Sequence, residues 1–174
     1  MRSTGAIVLS FFAALWAFLA LHSINQPLWM QVMPFALSLA LGLAARNNDR
    51  GRPQPTAEER KRRSRTVMIW AAIEGVVIFA GVNLLQNTGH ADWTIALVAS
   101  VVGLHFFPLA IGMRVPLYGA TGVGMLAVVA AAAALLPTGS MLDVTIGMGS
   151  SVVLYLTAFI LTAFAPKARM PVEA

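Results

Sequence analysis

Arg46-Asn47-Asn48-Asp49-Arg50-Gly51-Arg52-Pro53-Gln54-Pro55-Thr56-Ala57-Glu58-Glu59-Arg60-Lys61-Arg62-Arg63-Ser64-Arg65 is the one long polar stretch in a chain of 174 residues, and its reading decides the fold. It carries eight basic and three acidic side chains, a surplus of five positive charges that equals the net charge of the whole chain. Everything around it is apolar: 58% of residues are hydrophobic, 11% are charged, and mean hydropathy is +0.75. A water-soluble domain needs roughly 25% charged residues to cover its surface, so this composition points to lipid as the solvent.

Outward from that stretch lie six apolar runs, at about 5–22, 27–45, 66–86, 93–112, 116–136 and 141–165. Each has the ~20 residues that a helix needs to cross a hydrocarbon core. Short turn-like breaks separate the rest: Asn25-Gln26-Pro27, Asn87-Thr88-Gly89-His90, Arg114-Val115-Pro116 and Pro137-Thr138-Gly139. The expected fold is therefore all-α, an integral membrane protein of six transmembrane helices forming one domain, with 46–65 as a basic cytoplasmic loop. If both termini, that loop and the 113–116 turn are cytoplasmic, all twelve lysines and arginines fall on one side. The opposite loops then carry Asp92 and Asp143 and no basic residue, in agreement with the positive-inside rule. Arg2 before an apolar run resembles a signal peptide, but the run is long and no small-x-small cleavage site follows it. Trp29 and Trp93 sit at helix ends, where interfacial anchors belong.

The basic stretch has internal order. Residues 47–55 are polar and broken by prolines, which predicts irregular chain. Thr56-Ala57-Glu58-Glu59 has capping-box spacing, with Thr56 as N-cap and Glu59 three residues on, so the third helix starts near Ala57 and projects before it enters the bilayer. Arg60, Lys61, Arg62, Arg63 and Arg65 then lie at the headgroups, each worth ~1 kcal/mol against anionic lipid. The expected partner is membrane lipid, not nucleic acid, because the charge is concentrated where it sets topology.

Two ionisable residues interrupt the apolar runs. Glu74 lies nine residues after Arg65 on the third helix, and His105 nine before Arg114 on the fourth. At 1.5 Å per residue both are ~13 Å from the flanking basic residues, near the middle of a ~30 Å core. An ionisable group there costs ~3 kcal/mol to insert, so it asks for a reason. Neighbouring helices would bring the two together as a pair able to share or relay a proton; the bland alternative is a hydrogen-bonded clasp between helices. Ser10, Ser38, Thr121 and Thr157 fall at the same depth and are candidate lining of a small polar cavity. Pro108 is expected to kink the fourth helix and free the carbonyl of Leu104. Gly119, Gly122, Gly124, Gly147 and Gly149 favour close helix packing. Asn83, Gln86, His22 and His90 are candidates for an outer vestibule.

With no cysteine, disulfides and thiol chemistry are excluded. Neither the H-E-x-x-H zinc motif nor the G-x-S-x-G elbow is present. His22 and His90 fall near the outer surface and His105 near the midplane, which disfavours haem ligation by the first two and a three-histidine metal site; no catalytic residue, metal or cofactor is expected.

Leu104-His105-Phe106-Phe107-Pro108-Leu109-Ala110, with Arg114-Val115-Pro116-Leu117-Tyr118 and Thr121-Gly122, resembles a signature of small uncharacterised bacterial inner-membrane proteins. The likeness covers about twenty residues, and Gly119 stands where that pattern is more aromatic. It implies a bacterial cytoplasmic (inner) membrane location and six helices, and carries no activity. The functional expectation is a small permease or channel for a proton, cation or polar solute, as a homo-oligomer, with Glu74 and His105 as its site. The alternative is an accessory or scaffold protein whose polar residues only hold helices together, and an intramembrane enzyme ranks third.

Overall fold

The computed structural model describes residues 2–49 and 56–164. The proline-broken stretch 50–55, expected to be irregular, and the C-terminal residues 165–174 lie outside the described residues. Six α-helices follow one another: α1 Arg2–Ser23, α2 Leu28–Asn48, α3 Ala57–Asn87, α4 Thr94–Met113, α5 Pro116–Leu135 and α6 Ser140–Ala163. One 3-10 turn, Ala91–Trp93, leads into α4, and the described residues contain no strand. All six helices are long and apolar enough to cross a membrane.

Local chemistry sets the ends. Asn25 takes a left-handed conformation (φ 54°) between α1 and α2, a geometry its short side chain tolerates. Pro116 opens α5 at the first helical position, where a missing N–H costs nothing. Gly139, at φ 118°, makes the turn into α6. At α3 the cap read from the sequence is formed: Glu59 N–H donates to Thr56 Oγ1 (3.2 Å), and Thr56 N–H donates to Glu59 Oε2 (3.3 Å).

Packing runs as a curved row. α1 lies between α2 and α6, α6 packs on α5, α5 on α4, and α4 on α3, with lesser contacts from α6 to α2 and α4. The first and last helices make the most extensive contact, and their approach depends on Gly147: a Cβ there would lie 2.8 Å from Ala20 Cβ and 3.3 Å from the Trp16 carbonyl. Met125, Leu142, Ile146 and Leu154 fill the core around this contact. Trp16 is buried there too, whereas Trp29 and Trp93 are exposed at helix starts. α3 is the exception. It touches only α4 and the turn before it among the described residues, and none of its 31 residues is buried.

Candidate functional site

α3 meets α4 along one narrow seam. The partly covered residues of α3 include Thr66, Glu74, Ile78, Gly81, Val82 and Leu85, roughly one per helical turn, and the rest of the perimeter is open. Thr66 abuts Gly112, where a Cβ would lie 2.7 Å from Thr66 Cγ2, and Gly81 sits under Leu97 in the same way at 2.6 Å. Small residues at both contacts let the backbones approach closely. Between them the seam holds Glu74 against His105.

His105 Nδ1 lies 3.1 Å from Glu74 Oε2, with side chains 11% and 21% exposed respectively. The two residues therefore share one height, as their equal distances from Arg65 and Arg114 require. The distance is that of an ion pair, but the ring is turned off the line of a hydrogen bond, and Nδ1 has no hydrogen-bond partner. A carboxyl and an imidazole at this spacing can hold one exchangeable proton between them. Phe106 stands edge-on to the imidazole, centroids 6.4 Å apart, on the core side. α4 remains one helix through Pro108, which has no N–H to give to the Leu104 carbonyl, one residue from His105.

The four hydroxyls of the expected lining separate into two pairs. Ser38 donates to the Ser10 carbonyl and lies 3.0 Å from Tyr155 Oη, while Ser10 Oγ donates to the Ile7 carbonyl (3.0 Å). Thr121 and Thr157 meet oxygen to oxygen at 2.8 Å, and each also has a carbonyl one turn back within reach, those of Leu117 and Val153; with one proton per hydroxyl, two of these three contacts are filled at a time. All four are buried. The first pair belongs to α1 and α2, the second to α5 and α6, and the ionisable pair to α3 and α4, so three helix contacts each hold one polar pair.

Tyr155 was missed by the sequence reading. Its hydroxyl donates to the Pro34 carbonyl (2.6 Å) and ties α6 to α2 beside Ser38. The available signal was a tyrosine in mid-helix, whose polar tip must find a partner when buried. Three of the four vestibule candidates have partners: His22 with Gln31 of α2 (3.3 Å) and a stacked Phe18, His90 with Thr88 (3.3 Å), and Asn83 with the Phe79 carbonyl. Among the described residues no three His, Asp or Glu side chains gather as a metal site would require.

Two open concavities lie elsewhere: one of about 410 Å³ between α5 and α6, lined by residues such as Val128 and Leu135, and one of about 370 Å³ between α1 and α2. Comparison with protein-family models, curated proteins and solved structures returned no match.

Proposed function

We propose that this chain is a multi-pass protein of the bacterial cytoplasmic membrane, with both termini cytoplasmic, and that it works as a small permease or channel for a proton, cation or small polar solute. Glu74 and His105 are its responsive site. The observation that carries the reading is their approach to 3.1 Å at the middle of two adjacent apolar helices, both still in part exposed.

The path follows the α3–α4 seam, and a second copy of the chain closes it on the open side of α3. Six helices packed in a row leave the pair at an edge, so a homo-oligomer is part of the proposal. Orientation is supported by the placement of all twelve basic residues on one side of six alternating helices. The Arg60–Arg65 run then meets anionic headgroups.

A second reading, a non-transporting accessory protein, is favoured by the satisfied state of Ser10, Ser38, Thr121 and Thr157, which act as clasps between helices. Flux separates the two. Liposomes containing purified protein are assayed for proton and cation flux with wild type and Glu74→Gln. Flux that vanishes in a variant of unchanged melting temperature supports transport through the seam. Absence of wild-type flux, together with a clearly less stable variant, moves the assignment to the accessory role.

A further inference from the structure

The groove between α1 and α2 is built differently from the transport candidate. Its lining includes Ile7 and Phe11 from α1 and Phe35, Leu39 and Leu43 from α2, and its one charged residue is Arg46, at one end. Eleven residues separate Phe35 from Arg46, about 16 Å along a helix, which is one leaflet of a ~30 Å hydrocarbon core. Aromatic rings cluster at the other end: Phe35 stands edge-on to Phe11 (6.0 Å) and to Phe18 (6.1 Å). Ser10 and Ser38 also reach the groove, but their hydroxyls are already engaged with the Ile7 and Ser10 carbonyls and with Tyr155. The surface on offer is therefore hydrocarbon, one leaflet deep, with an exposed guanidinium at its mouth.

We infer that this groove holds one acyl chain of an anionic phospholipid, with the lipid phosphate on Arg46. A volume of about 370 Å³ is within the range of ~300–1,000 Å³ typical of small-molecule sites, enough for a stretch of one chain. Net charge selects the headgroup: a guanidinium binds phosphate oxygens through two parallel N–H donors, and the phosphate of an anionic lipid, unlike that of phosphatidylcholine, is not neutralised by a choline cation competing with Arg46. A bound lipid leaves one hydrocarbon environment for another, so the groove selects by fit and Arg46 by charge. This inference rests on the membrane placement and is independent of transport.

Gly42 gives the test, because it lines the groove and a Cβ there would meet only Ile7 Cγ1, at an ordinary 3.5 Å. Full-length protein is equilibrated with equal phosphatidylglycerol and phosphatidylcholine in detergent, and retained lipid is counted by native mass spectrometry. Wild type should keep one phosphatidylglycerol per chain. Arg46→Gln should lower the preference for it over phosphatidylcholine about fivefold, the effect of one juxtamembrane cation. Gly42→Leu should lose the retained lipid while keeping every charge; Leu43→Phe, at an exposed rim position, should do the same if Gly42→Leu fails to fold. Wild-type retention in both filled variants would overturn the inference, and so would a dimer that dissociates when the groove is filled, since the occupant would then be a second copy.

Discussion

α6 and α3 are both long, apolar helices, yet they stand at opposite extremes of burial. α6 buries ten residues, four of them hydroxyl-bearing (Ser150, Ser151, Thr157 and Thr162), whereas α3 buries none. The polar groups differ in kind as well. Thr157 and Thr162 return their protons to carbonyls one turn back, which costs the fold little and marks a face packed against protein. Glu74 on α3 has no such local outlet and faces His105 alone. In a lipid-solvated protein apolarity does not report burial, because every helix face has an apolar environment to meet. Buried hydroxyls, not apolarity, mark the tightly packed helix, and an ionisable pair on a loosely held helix is what packing does not account for.

The same substitution placed on each helix should break the symmetry most strongly. Gly147→Leu drives a side chain into Ala20 and the Trp16 backbone, where neither neighbour has room to withdraw. It should cost about 3 kcal/mol or more, as overpacking against backbone does, and leave little folded protein. Gly75→Leu on α3 meets nothing within 4 Å. Its stability should stay within about 1 kcal/mol of wild type, on the stabilising side, since glycine is the poorer helix former. Melting in detergent by circular dichroism reads both. A large loss from Gly75→Leu would mean that α3 is packed against a second copy in that preparation.

Truncation is the milder form of the comparison. Leu154 in α6 is 1% exposed and Phe79 in α3 is 72% exposed. Leu154→Ala should destabilise by about 2 kcal/mol, the low end of the range for buried leucines, because the transfer term is small in lipid and the lost contacts dominate. Phe79→Ala should change stability by less than about 0.5 kcal/mol. Chemical denaturation in mixed micelles gives both values, and equal losses would remove the distinction between the two helices.

Six helix segments, the turn chemistry and the Thr56 cap were legible because each depends on a local pattern: run length, a proline or glycine at a boundary, a four-residue motif. The Glu74–His105 approach was legible for a different reason. Equal spacing from Arg65 and Arg114 fixes height, and the short 88–93 connection makes α3 and α4 neighbours. Which face of each helix turns inward was not legible. Amphipathic stripes carry that information in water, and helices apolar all round have none. Hence Ser10, Ser38, Thr121 and Thr157 read as one ring at one depth, whereas rotation about the helix axes splits them between α1–α2 and α5–α6. The edge position of α3 was hidden for the same reason, and Tyr155 was passed over as one more apolar position in α6.

The smallest effect tests whether α3 answers to its own chemistry or to the bundle. Its first turns, from Ala57 to Arg62, are exposed, so the Thr56–Glu59 cap, not burial, resists fraying there. Thr56→Ala should remove about 1 kcal/mol of local helix stability, the usual value of an N-cap. Hydrogen exchange should quicken at residues 59–62, whose N–H groups depend on that first turn, and global melting should not move. Faster exchange that spreads through Glu74 to Asn87 would show that α3 opens as one unit from its basic end. In that case whatever holds the Arg60–Arg65 run would govern how tightly Glu74 is kept against His105.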